Sequence, residues 1–488
     1  MRERRAYWIA FAACAIAATI PLLVTGVLPM ADLPEHMAQV AIWKHFDDAC
    51  QRFSDVYEIR LATPYLAGSA ITAAFATVLT VSAATKATVW LCIMLLPLAL
   101  RPLLRHTGAD PWLSLLGFPL AFGYSFYWGF LNFLLAMAIG VFYLAVLLDE
   151  RPRPIANVLF PLLLIGAHAV MFLFCASVAV LIAMVRKAPR RLLPLIPAFS
   201  FLVIFAVRLR GGEPLAQSGV SWQWSATRAL DLPSLLFANA WEPAGLLLVA
   251  AMAGAMALTR PRISRDPARW SVVVVAAVLY FFGPGGAFGT AYLYPRFAFF
   301  LVVGLLVLFE RAVVPSMRVL LIARAIVILV VIGWMSVLGE RFSRFGEEAQ
   351  EFESLVTSIP ANRRVAQFNI LPFSEHVPGP VFWHFGALAQ VRRGGVAAWS
   401  FARHYPAVVR FRKGREPVVK TESTPVDGID WPGVLEYDYL LVRGPDARRF
   451  AFRGAPVPIA LRARSGSWWL YETPHARLPQ RDCVPLNE

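Results

Sequence analysis

The chain has 488 residues, 58% of them hydrophobic and only 16% charged, with a formal net charge of +15. That apolar share exceeds what a soluble domain carries, and it falls in long blocks, which excludes a single water-soluble fold and places the chain among polytopic membrane proteins. Much of the basic excess lies in short loops between apolar blocks, where it orients the chain and meets anionic lipid headgroups; membrane lipids are the expected partner and nucleic acid is not.

The first element is a charge-free run over residues 7–30 behind Arg2, Arg4 and Arg5. At about 1.5 Å per residue it crosses a hydrocarbon core of roughly 30 Å, and the basic flank predicts a cytoplasmic start. It is longer than the apolar core of a cleaved signal and is read as a retained helix. Asp32-Leu33-Pro34-Glu35-His36 follows at the far surface. Two readings of this stretch stay open: two carboxylates and an imidazole placed for catalysis, or the acidic first turn of a surface helix with Pro34 near its start. From His36 to Phe53 apolar and polar residues recur at roughly helical spacing, predicting a helix in the interface plane with Trp43 as anchor. The first external loop is expected over about 31–63.

Further spans are predicted over 64–82, 87–104, 111–127, 129–148, 155–185, 191–209, 243–259, 270–284, 293–313 and 317–338, about eleven in all with the first. Basic residues at both ends of 155–185 ask that segment to enter and leave on one side, as two short helices turning near Gly166-Ala167-His168. A loop over 210–242 carries Trp222, Trp224 and Trp241, which suit interfacial anchoring or a cleft wall. Residues 1–340 are thus expected to form a transmembrane module and 341–488 a small extracytoplasmic α/β domain. Its strands are predicted over 364–368, 396–401, 437–442 and 460–471, with a helix over 381–391. The five cysteines, Cys14, Cys50, Cys92, Cys175 and Cys483, show no short paired spacing, so neither a disulfide framework nor a zinc site is expected.

Ionisable groups at membrane depth are costly and tend to be functional. Asp32, Glu35 and His36 head that set as candidate catalytic residues. His168 stands in an apolar run, either as a packing histidine or as a site residue. Arg296 opens an apolar helix within Tyr294-Pro295-Arg296-Phe297, just after Gly283-Pro284-Gly285-Gly286, where backbone N–H groups and a guanidinium suit a phosphate; its other reading is an interfacial arginine. Tyr124, Trp128 and Asn132, in the aromatic stretch 123–133, suit either an aromatic belt or the lip of a cavity. Sugar transfer from a lipid-phosphate carrier needs a base for the acceptor hydroxyl and groups that neutralise the departing phosphate, and these residues can supply both.

The order of features resembles the GT-C superfamily of polytopic glycosyltransferases: a short cytoplasmic start, an acidic motif in a partly embedded first external loop, a many-span body and a carboxyl-terminal periplasmic domain. Gly123 to Phe133, Ala167-His168 and Tyr294 to Phe297 are similar to stretches in bacterial members of this group. The resemblance implies a polyprenyl-phosphate-linked sugar donor and a saccharide or lipid acceptor in envelope or exopolysaccharide assembly. The enzyme would work at the outer face of the inner membrane. It implies Asp32 as catalytic base with Glu35 behind it, and Arg296 on the donor phosphate. His36 is grouped with them, and His168, Tyr124, Trp128, Asn132 and Tyr294 with substrate binding. A divalent cation such as Mg or Mn serves some members, but Asp32 is followed by Leu33 rather than a second acid, so no metal is carried over. A transporter or flippase of lipid-linked saccharides, and a non-catalytic membrane sensor, are the alternatives.

Overall fold

The computed structural model describes residues 2–151, 153–210, 219–222, 224–237, 242–287, 290–311, 316–404, 406–417, 429–444, 452, 455–477 and 483–488. Among them, five helices are long and apolar enough to cross a membrane: Glu3–Leu23, Val81–Thr107, Leu131–Leu148, Pro189–Arg208 and Met317–Val356. Six shorter apolar helices, Leu66–Ala76, Pro154–Ala167, Ala169–Val185, Pro243–Leu258, Pro267–Phe282 and Tyr294–Leu308, complete a polytopic helical body. Their ends follow local chemistry. The helix Val81–Thr107 starts where the Thr80 side chain accepts the Ala83 N–H and stops at Gly108 in the left-handed region.

One expected span agrees with the turn read from the sequence, and another is corrected. Residues 155–185 form two helices that break at His168, the end of one and the start of the next. Residues 111–127 do not form one helix but three short pieces, Pro111–Leu116, Gly117–Leu120 and Tyr124–Tyr127. Pro119 and the glycines at 117 and 123 interrupt the ladder, and both glycines lie against neighbouring backbone where a side chain would collide. The expected interface helix also ends early, at Lys44. Beyond it the Asp48 carboxylate accepts the Cys50 and Gln51 N–H groups, a local turn that competes with helix. Trp43 packs beside a cluster of Ile42, Phe53, Tyr57, Val409 and Phe411.

The first helix and the long helix Met317–Val356 lie side by side and run parallel. Glu3 meets Arg324 near their starts at 2.8 Å, Ile20 faces Gly339, and Thr25 faces Gly346. The long helix therefore leaves the helical body on the side that bears Asp32. Its 40 residues reach about 60 Å, roughly twice a hydrocarbon core, so it continues unbroken past residue 340.

A five-stranded sheet packs on that extension. The strand order is Val396–Ala397, Arg364–Asn369, Tyr439–Arg443, Trp468–Glu472, Ala460–Ser465; the first three are parallel and the last two join antiparallel. The last two strands, read from sequence as one stretch, are a hairpin turning at Gly466. Trp468 is fully buried between Phe352 of the long helix and Phe385. Glu351 accepts both the backbone N–H and the hydroxyl of Ser467 at 2.9 Å.

What matters for the site is how the loop helix Leu33–Lys44 is held. It lies between the helices Leu66–Ala76 and Phe385–Arg393 and is buried along most of its length. Glu35 and Gln39 project from one face toward residues 401–411. Glu35 accepts the Phe401 N–H at 2.7 Å. The Gln39 amide pairs with both backbone groups of Val409 at 3.0 Å. Further along the loop, Tyr57–Ile59 pairs antiparallel with Val409–Phe411. Contrary to the sequence expectation, Cys50 is joined to Cys483 in a disulfide with Cα atoms 5.7 Å apart. Their separation of 433 residues left no spacing signal; the fold alone brings them together. Close by, Glu488 bonds Lys44, His45 and the Val81 N–H.

Gln39→Ala tests this attachment. It strands two buried backbone groups of Val409, at about 1–3 kcal/mol each, and should expose segment 396–411 to limited proteolysis before the helical body melts; an unchanged digestion pattern would contradict it.

Candidate functional site

Where the loop helix, the helical body and the sheet layer meet there is a cavity of about 420 Å³. Asp32 and His36 enter it from the loop helix; Trp128, Asn132, His168 and Arg296 from the body; Trp383, His384, Trp399, Phe401 and His404 from the carboxyl-terminal part.

Asp32 is placed by backbone. The Ala31 and Asp32 N–H groups donate to the carbonyls of Tyr127 and Trp128 at 2.8 and 3.0 Å. This close approach requires Gly129: its φ is +77°, and a Cβ there would stand 2.7 Å from the Asp32 nitrogen. The aromatic stretch thus holds the acidic loop through its main chain. On the same helix the His36 ring stands edge-on to Phe401, 5.4 Å between centroids. Burial pushes the His36 imidazole down to about 4, the Asp32 charge opposing and His384 adding to the fall. It is therefore neutral at pH 7.

Arg296 is buried beneath the cavity, its guanidinium 3.7 Å over the Phe130 ring. It donates to the carbonyls of Tyr292 and Ala291 at 3.1 Å each and to His168 Nε2 at 3.2 Å. A guanidinium can only donate, so Nε2 is the acceptor. Three of five donors are thereby committed among the described residues, which holds the plane rigid and leaves N–H capacity for an anion. His168, at the helix break, is in turn fixed between the rings of Tyr65 and Phe133. The glycine-rich turn does not join Arg296 in a phosphate cradle. Gly285 donates its N–H to Ser221 O at 2.8 Å, and the turn is used to close the loop.

Asn132 lines the cavity and accepts the Gly68 N–H at 2.9 Å, tying two helices beneath it. Three candidates stand apart from the lining. Glu35 is fully buried on the Phe401 N–H. Tyr124 lies behind, buttressing the Trp128, Phe130 and Tyr292 rings at 6.0–6.3 Å. Tyr294 stacks under the guanidinium of Arg228 at 3.8 Å. Arg228 caps the helix Pro267–Phe282 through the carbonyls of Tyr280, Phe281 and Gly283. Trp222 and Trp224 are exposed and away from the cavity, and Trp241 lies outside the described residues.

The individual residues of the carboxyl-terminal wall were not singled out from sequence. His384 Nε2 lies 3.4 Å from Asp32 Oδ1. Its only signal was the aromatic run Val381-Phe382-Trp383-His384-Phe385 in an otherwise mixed segment. Among the described residues, no group of three or more His, Cys, Asp and Glu side chains is arranged to hold a metal ion. Chemically, the chamber offers one carboxylate to take a proton, one fixed guanidinium for an anion, and half-exposed indole faces for a flat or ring-shaped ligand.

The polytopic helical body with its small carboxyl-terminal sheet has a counterpart among solved structures. Specifically, the chain is similar to ArnT from Cupriavidus metallidurans, solved bound to undecaprenyl phosphate, with a TM-score of 0.53 over 97% of this chain and 99% of that one, at 9% identity. No family model and no curated protein matches the sequence.

Gly129→Ala should push Asp32 off its carbonyl partners; a displacement near 1 Å costs about a hundredfold in turnover of an aligned site, so activity should fall far more than melting temperature. For His36, the unfolded imidazole takes a proton near 6.5 and the folded one only near 4. Stability should therefore fall as pH drops from 6.5 toward 4, by up to about 3 kcal/mol, and be level in this term above 6.5. His36→Gln should flatten that part of a chemical-denaturation profile; an identical slope in both proteins would refute it.

Proposed function

We propose that the protein is a membrane glycosyltransferase that moves a sugar from a polyprenyl-phosphate donor to an acceptor hydroxyl. The observation that carries the reading is that Asp32 and Arg296, the one carboxylate and the one guanidinium in the lining among the described residues, share one cavity. The fold likeness to ArnT supports the class of donor.

In this reading the acceptor oxygen attacks the anomeric carbon while the bond from that carbon to the phosphate oxygen breaks. The acceptor proton passes to Asp32, and the leaving polyprenyl phosphate gains the negative charge that Arg296 neutralises. General-base assistance contributes about 10²–10⁴-fold, and phosphate as leaving group needs no acid. The aromatic wall orients the sugar and keeps water out. Neutral His36 adds no competing charge beside the base. The acceptor is a saccharide or lipid of the cell envelope. The basic amino terminus and the Cys50–Cys483 disulfide support placing the chamber on the oxidising, outer side of a bacterial inner membrane.

In nanodiscs with a panel of undecaprenyl-phosphate-linked sugars, release of undecaprenyl phosphate should occur with wild type and vanish in Asp32→Asn. Undiminished release in that variant would remove the base. Arg296→Ala should raise the donor KM at least tenfold more than the acceptor KM; equal changes would make it a packing residue.

A further inference from the structure

We infer that His384 is the positioning residue for Asp32, fixing the orientation of the carboxylate that receives the acceptor proton. The inference deepens the reading of Asp32 as base and rests on it.

Asp32 immediately precedes the loop helix, where an aspartate ordinarily folds its carboxylate onto the first backbone N–H groups of the helix. Here it does not. Its backbone sits at φ −86° and ψ −5°, in the helical rather than the extended region, and the side chain makes no cap bond. The carboxylate points instead into the cavity, with Oδ1 3.4 Å from His384 Nε2. An aspartate released from its local partner has a staggered side chain free to turn, so something else must orient it.

His384 is built for that. It is 4% exposed, and its ring is nearly parallel to two indoles: Trp399 at 4.2 Å and 16°, Trp383 at 5.7 Å and 9°. Phe401 stands edge-on at 6.1 Å. A ring stacked on Trp399 at 4.2 Å and parallel to Trp383 is restricted in its rotation, and the nitrogen edge is held toward Asp32. For the 3.4 Å contact to attract, Nε2 carries the hydrogen. His36, one turn along the same helix, faces Phe401 rather than sharing this stack.

This gives the carboxyl-terminal part a task in the reaction. His384 begins the helix Phe385–Arg393. Trp399 and Phe401 follow the strand Val396–Ala397, and the whole segment is pinned by Glu35 and Gln39 of the helix that Asp32 opens. The base is therefore gripped from both ends of the chain: its backbone by the turn at Gly129, its side chain by His384.

The test uses full-length protein in nanodiscs with undecaprenyl-phosphate-linked sugars, release of undecaprenyl phosphate as the readout, and a melting curve for each variant. His384→Phe keeps a ring in the stack but removes the donor. It should lower kcat by about 10²-fold while donor KM stays within about threefold and the melting temperature holds. His384→Gln, which restores an N–H donor, should recover most of kcat. Wild-type kcat in His384→Phe, or glutamine no better than phenylalanine, would overturn the inference, as would a loss confined to donor KM. Asp32→Asn is run alongside. If it is inactive while His384→Phe is fully active, the positioning role alone falls. If Asp32→Asn is active, or wild type releases nothing, the reading of Asp32 falls and takes this inference with it.

Discussion

Everything in the chamber depends on one close approach: the backbone of Ala31 and Asp32 lying against the carbonyls of Tyr127 and Trp128 over a residue that has no side chain. Main-chain hydrogen bonds fix position better than side-chain contacts because no rotamer freedom intervenes. The loop helix that follows becomes a rigid beam. Its buried face carries Asp32, Glu35 and Gln39, and each meets a different part of the carboxyl-terminal layer. The chamber is the space left between beam, body and layer.

Charge is distributed in that space with economy. The cavity lining includes one carboxylate, and Arg296 is its one lysine or arginine among the described residues. Arg296 lies against Phe130 and is locked by two carbonyls and an imidazole, so it pays little reorganisation when an anion arrives. His168, which sequence alone left between packing and function, ends one helix, starts the next and accepts a hydrogen bond from Arg296. Burial keeps His36 neutral, so it adds no charge beside Asp32.

Much of this architecture was legible in the chain. Block hydropathy gave the helical body, and the basic flank with the first acidic motif pointed to the region of the cavity. The four strand-like stretches after residue 340 cover all five strands of the sheet, the last stretch holding two, because alternation and β-branched residues report on backbone state locally. What stayed hidden was long-range. Cys50 and Cys483 carry no spacing signal because their proximity is a property of the folded loop and tail. His384 looked like one residue of a short helix; its place beside Asp32 follows from the fold, which stacks it on Trp399, fifteen residues away in sequence. The segment 111–127 had the length and composition of a span, but its glycines were needed for close packing against Pro97 and Leu236, and a span was not what resulted. The glycine-rich turn before Arg296 had the composition of an anion cradle and spends its N–H groups on Ser221 instead.

The central claim is that the donor's phosphate binds at Arg296 beside Asp32, and an experimental structure of the protein in nanodiscs with undecaprenyl phosphate tests it most directly. The account predicts phosphate density within hydrogen-bonding distance of the Arg296 guanidinium, inside the cavity shared with Asp32 and His384, and the polyprenyl chain running from there into the bilayer. Phosphate seated instead in the separate polar cleft of about 500 Å³ lined by Arg341, Arg344, Ser374 and His376 would contradict it.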